Sequence, residues 1–205
     1  MKIHGDYAAT GYAHVEQLFP AEVTEALLNQ FWSDLKGERV KLTFAHPDVV
    51  SNVVTEVYGP DYPPLTTFLY GATPIASMIS GCELLPSYCF FRIYRRDDRL
   101  KLHRDRDACE HSLSLTLHYS DGEPWPFEIG SAGTSPKAGK GRASILMRPG
   151  DAVMYRGPER SHGRPTPNPN GWSAHLFMHW VDAGGSHRDL AFEKPKRKAA
   201  HPTTG

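Results

Sequence analysis

The chain has 205 residues, with Lys plus Arg and Asp plus Glu equal at 23 each and a formal net charge of zero. No global field steers it to nucleic acid or to an anionic membrane surface, and the length is enough to bury a substantial core. Met1 to Asp6 carries no apolar run of signal length and no window approaches a membrane span, so the sequence predicts a soluble cytoplasmic protein.

Cys82, Cys89 and Cys109 are odd in number and show no paired metal spacing, which argues for reduced thiols rather than a disulfide framework or a zinc ribbon. Gly at 18 and Pro at 17 are frequent enough to punctuate many short strands.

In chain order, Gly11 to Glu16 reads as a short strand, and Phe19-Pro20-Ala21-Glu22 opens a helix with Pro at its entry. Val23, Leu27, Phe31 and Leu35, with Ala26, form an apolar stripe that ends at Lys36-Gly37 and predicts a helix packed on a sheet. Residues 40 to 64 mix a Val-rich run with Tyr58-Gly59-Pro60 and Pro63-Pro64. A second helix is expected over part of 65 to 80, interrupted at Gly71 and Pro74 and split there.

From Tyr88 the texture changes to short apolar segments between turns: Tyr88 to Tyr94, Ser112 to Tyr119, Phe127 to Ile129, Ala143 to Met147, Ala152 to Tyr155 and Ala174 to Val181. Strands in this number after an initial helix predict a mainly β fold, a β-sandwich or jelly roll backed by N-terminal helices. Gly157 to Gly171 reads as a loop beginning around His162, and the tail from Lys194 is basic and polar.

Leu100 to Asp107 contains His103-Arg104-Asp105. On a strand, residues two apart share a face, so His103 and Asp105 can point inward together while Arg104 points away. If His162 reaches the same point from another strand, two imidazoles and a carboxylate face one metal and leave positions open, the set that suits non-haem Fe(II). A His-x-Asp triplet by itself is common on ordinary surfaces.

Taken together, Phe91-Arg92-Ile93-Tyr94, His103-Arg104-Asp105, the turn Arg148-Pro149-Gly150-Asp151, the strand to Tyr155 and then His162 resemble, in that order, the core of the iron- and 2-oxoglutarate-dependent oxygenase superfamily. The resemblance covers about residues 88 to 181. It implies a double-stranded β-helix in one oxygenase domain over 1–190, with a helical lead-in at about 18–80 and a β core at about 88–182, followed by the tail at 191–205. It also implies Fe(II) on His103, Asp105 and His162, 2-oxoglutarate and dioxygen as co-substrates, ascorbate as a supporting reductant, and hydroxylation of a C–H bond.

Leu102 to Asp107 is similar to the motif of AlkB-type nucleic-acid demethylases, and the helix-first layout is similar to small prolyl-hydroxylase-like enzymes. One departure stands out. Relatives carry an Arg or Lys on the strand after the second His for the far carboxylate of 2-oxoglutarate, whereas Asn168 to Leu176 offers only His175. Arg164 is the expected replacement, two positions beyond His162 and able to grip a carboxylate with two hydrogen bonds. His118 and Tyr94 are further candidates for the co-substrate, each with a core role as its plainer reading. His175 and His179 share a face of the last strand, where either could serve the pocket.

The expected substrate is an amino acid, peptide or other small polar metabolite. Oxidative dealkylation of nucleic acid is the alternative, and a jelly-roll binding module without catalysis is a third. The sequence does not fix the oligomeric state.

Overall fold

The computed structural model describes residues 1–130 and 141–192; the basic tail from residue 193 on lies outside the described residues. The elements are β1 (Lys2–His4), α1 (Tyr7–Thr10), β2 (Tyr12–Glu16), α2 (Ala21–Lys36), β3 (Thr43–Ala45), β4 (Val54–Tyr58), α3 (Pro63–Ser80), β5 (Leu84–Arg95), β6 (Leu100–His103), β7 (His111–Tyr119), β8 (Phe127–Gly130), β9 (Arg142–Ile145), β10 (Ala152–Tyr155), β11 (His162–Arg164) and β12 (Trp172–Asp182). No helix among the described residues is long and apolar enough to cross a membrane.

The strands form two antiparallel sheets, one of eight in the order β1-β2-β10-β7-β12-β5-β4-β3 and one of four in the order β6-β11-β8-β9. From β5 to β12 the chain passes back and forth between the sheets, except that β8 and β9 form a hairpin within the four-stranded one, and this makes a double-stranded β-helix, or jelly roll. The expected fold class is the observed one.

Period-two alternation sorts each long strand onto two faces. On β7, Leu113, Leu115 and Leu117 join the core beneath α2 and α3, as do Ala174, Leu176, Met178 and Trp180 of β12 and Cys89 and Phe91 of β5. The opposite faces carry Ser112, Ser114 and Thr116, His175, Phe177 and His179, and Tyr88, Phe90, Arg92 and Tyr94, as the cross-strand pairs show. These polar and aromatic side chains look into the space between the sheets.

The two long helices, α2 and α3, depart from the sequence expectation in detail. In α2 the buried residues include Thr24, Leu27, Leu28 and Phe31, whereas Val23 is exposed. The stripe is therefore rotated, and Thr24 can go inside because its hydroxyl donates to the Ala21 carbonyl at 2.8 Å. α3 is one continuous helix with Pro74 inside it, rather than two. Pro74 leaves the carbonyl of Tyr70 without its helical donor, and Tyr70 is exposed, so water can satisfy that oxygen. Gly81, at φ 75°, ends the helix with its N–H on the Ser77 carbonyl.

Candidate metal centre and anion pocket

β11 lies between β6 and β8, and its register sets His162 directly opposite His103. The two rings are 4.5 Å apart between centroids. Asp105 is past the end of β6, contrary to the expectation of a shared strand. It is held instead by its backbone N–H, which donates to the Gly157 carbonyl at 3.0 Å. The Asp105 Oδ1 lies 3.5 Å from the Nε2 of His103 and 3.5 Å from the Nε2 of His162.

The tautomers follow from the neighbours. His103 Nδ1 is 2.8 Å from the Lys101 carbonyl and His162 Nδ1 is 2.9 Å from the Arg160 carbonyl. A carbonyl only accepts, so each Nδ1 carries the proton and each Nε2 presents a lone pair. Burial alone would raise the Asp105 carboxyl, but the neighbouring His162 and His103 outweigh it and hold the group well below the ordinary carboxylate range. Two imidazole nitrogens and one anionic oxygen thus converge, with Tyr155 4.2 Å from His162 and Phe127 6.0 Å from it as the wall behind.

Beyond the triad lies a cation. Arg164 is fully buried, its guanidinium 5.3 Å from the Trp125 ring and 5.3 Å from the Phe127 ring. Nη1 donates to the Trp125 carbonyl at 2.5 Å and Nη2 meets His175 Nδ1 at 3.3 Å, while Nε has no partner among the described residues. Burial pulls the guanidinium down from its ordinary value against the opposing pull of Tyr119, Tyr94 and Tyr155. His175 is driven well below its ordinary value by burial and by Arg164 and Arg92, so it is neutral and can accept from Nη2.

The contrast with Arg92 is informative. That guanidinium is also buried, but Glu56 pairs with it through Nε at 2.7 Å and through Nη2, and Nη1 donates to the Tyr94 hydroxyl at 2.9 Å. A buried cation without a carboxylate costs several kcal/mol by general reckoning, on the order of 3–5 when a partner is missing. No carboxylate among the described residues pairs with Arg164.

Of the residues expected at the site, His103, Asp105 and His162 come together, and Arg164 and Tyr94 both pack on Trp125, Tyr94 edge-on at 5.1 Å. His118 does not join them. It stacks on Trp172 at 4.8 Å, on the helix-covered side of the sheet. The reason is a register shift on β12 between Ala174 and His175, which skips Leu117 and turns Tyr119 to the inner face in place of His118. The sequence reading also passed over Ser112, which links Asp105 Oδ2 at 3.0 Å to His179 Nδ1 at 2.9 Å. Its signal was present in the alternation of Ser112, Ser114 and Thr116 with leucines.

Neither a protein-family model nor a curated protein sequence matches the chain. Solved structures do match it. A non-haem α-ketoglutarate-dependent carbocyclase, SnoK, from nogalamycin biosynthesis superposes with a TM-score of 0.66 at 15% identity, covering 87% of this chain and 82% of that one.

The chain has the fold of the iron- and 2-oxoglutarate-dependent oxygenases. A Pseudomonas putida prolyl-4-hydroxylase shares this oxygenase fold at a TM-score of 0.60 and 15% identity, over 85% of this chain and 95% of its own. HygX from Streptomyces hygroscopicus, whose structure holds nickel, 2-oxoglutarate and hygromycin B, matches at 0.65 and 12% identity, over 87% and 85% of the two chains.

The donor set fits the metal that the oxygenase fold implies: two neutral imidazoles and a carboxylate on one side, with nothing softer required. The unpartnered Nε and uncompensated charge of Arg164 fit a carboxylate co-substrate.

Proposed function

We propose that the protein is a cytoplasmic Fe(II)- and 2-oxoglutarate-dependent dioxygenase that hydroxylates a C–H bond of a small polar metabolite, amino acid or peptide. The observation that carries this reading is the convergence of His103 Nε2, His162 Nε2 and Asp105 Oδ1 beside a buried arginine with no carboxylate of its own.

In this reading His103, Asp105 and His162 hold Fe(II), and Arg164 receives the far carboxylate of 2-oxoglutarate, with Tyr94 and Tyr119 beside it. When bound, iron and 2-oxoglutarate activate dioxygen, with succinate and CO2 as the co-products of substrate oxidation. The protein supplies position and environment. The backbone carbonyls of Lys101 and Arg160 fix both imidazole planes before metal arrives, so little ordering remains to be done on binding. Trp125, Phe127 and Tyr155 are fully buried and keep water from the anion pocket, which strengthens the arginine–carboxylate pairing there.

The overall charge balance favours a small polar substrate over nucleic acid. HygX with its bound hygromycin B is in keeping with that choice, as a protein of similar fold that takes a small molecule.

The test is succinate release from purified protein incubated with Fe(II), ascorbate and 2-oxoglutarate, with a His103→Ala control. Turnover of 2-oxoglutarate above the control is expected even without substrate, at a slow uncoupled rate. Metal binding without any succinate, across a panel of candidate substrates, would instead favour a binding module.

A further inference from the structure

Given the reading that Asp105 binds the metal, we propose that Ser112 and His179 form a clamp that commits one oxygen of Asp105 to the protein and leaves the other for the metal. Both residues are buried, His179 with 3% of its surface exposed and Ser112 with none.

The two carboxylate oxygens have different surroundings. Oδ1 is equidistant, at 3.5 Å, from the bare nitrogens of His103 and His162. Oδ2 is 3.0 Å from the Ser112 hydroxyl. Backbone closes the space around Oδ2, since a Cβ on Gly157 would stand only 2.7 Å from that oxygen and 2.4 Å from the Cys109 carbonyl. Only the Oδ1 side is open to the histidines.

The hydroxyl of Ser112 has three neighbours and one proton. Besides Oδ2 it meets the Cys109 carbonyl at 3.1 Å and His179 Nδ1 at 2.9 Å. Both oxygens only accept, and the carboxylate is the stronger acceptor because it is charged. With its proton given to Oδ2, Ser112 can only accept from His179, which must therefore carry its proton on Nδ1. That assignment agrees with His179 Nε2, which has no partner among the described residues. Tyr88, 4.6 Å away between ring centroids, and Phe90, at 5.8 Å, hold the imidazole plane in place. Ser112 and His179 are positioning residues: they act through Asp105 and touch neither iron nor substrate in this role.

The experiment uses Co(II) as the probe and the full chain. Co(II) affinity and the visible d–d spectrum are compared for wild type, Ser112→Ala, His179→Phe, His179→Gln and His103→Ala, alongside the melting temperature of each metal-free protein. Ser112→Ala and His179→Phe should weaken Co(II) about 10- to 100-fold, as loss of such supporting hydrogen bonds commonly does, and should alter the spectrum as the released oxygen becomes free to coordinate. His179→Gln keeps an N–H that can reach Ser112 and should recover most of the affinity. Histidine 15N NMR of the metal-free protein should show His179 protonated on Nδ1, a readout that needs no metal. Wild-type affinity and spectrum in Ser112→Ala, or a His179 proton on Nε2, overturns the clamp. If His103→Ala binds Co(II) as well as wild type does, the metal centre itself is misassigned and the clamp falls with it.

Discussion

His162 faces His103 across the ladder between β11 and β6, and Gly163 is what allows the strands to close there. A Cβ at 163 would stand 2.7 Å from the Leu100 carbonyl and 2.8 Å from that of Lys101. Both obstacles are backbone and cannot swing aside. Gly163→Ala should therefore spread the strands, cost about 1–3 kcal/mol of stability and weaken metal binding. Urea unfolding and Co(II) titration check both effects, and unchanged metal affinity would mean that the ladder does not set the imidazole pair.

Metal should stabilise the fold in proportion to its occupancy of the triad. At a free concentration about 100 times the Kd, linkage gives about 2.7 kcal/mol, or a rise in Tm of roughly 5–10 °C for a domain of this size. EDTA should reverse the rise, and His103→Ala or His162→Ala should not show it. Thermal scans with and without Co(II) decide the matter.

Arg164→Lys keeps the charge but loses the planar fork. In Co(II)-loaded protein, 2-oxoglutarate affinity should fall by about 100-fold or more, the equivalent of losing one or two charged hydrogen bonds, while Co(II) affinity stays within about threefold. Calorimetric titration separates the two constants. Full retention of 2-oxoglutarate binding would move the anion site away from Arg164.

Glu56→Ala strands the buried Arg92 without its carboxylate. The expected loss is about 3–5 kcal/mol in urea or guanidinium unfolding, far more than truncation of an exposed glutamate. A loss below about 1 kcal/mol would show that Arg92 finds another partner or reaches water.

Stability should fall on mild acidification. Burial, aided by Arg164 and Arg92, holds His175 well below its ordinary value, and burial pushes His179 down to about 4. Both are neutral in the native state, so below about pH 6.5 the unfolded chain takes up protons that the native chain refuses. The stability is whole above that pH and is lost as pH falls, by at most about 1.4 kcal/mol per pH unit for each histidine. Denaturant unfolding at pH 7 and pH 5 should differ by about 2–4 kcal/mol, with a smaller difference in His175→Asn.

The β framework was legible because its strands alternate cleanly and are separated by Gly and Pro turns. The strand Ala152–Tyr155 coincides with the apolar segment read there, and α2 keeps its bounds although its buried stripe is turned. What could not be read was the phase of a strand interrupted by a bulge. The shift at His175 exchanged Tyr119 for His118, and nothing local to either residue announces it. The pairing of Arg92 with Glu56 was equally hidden, since β4 and β5 are separated in sequence by α3. Gly157 and Gly163 look like loop glycines in the sequence, and only the approach of other backbones gives them their meaning.

The carbonyls that orient the two imidazoles belong to residues two positions upstream in the same short segment. Any amino acid provides that oxygen. The geometry is thus written into main chain, which leaves the side chains of the barrel wall free to be exchanged for new ligands without re-tuning the centre. A scaffold built this way can lose most of its side-chain identity, down to the 12–15% this chain shares with three structures of similar fold, without losing what orients the two imidazoles.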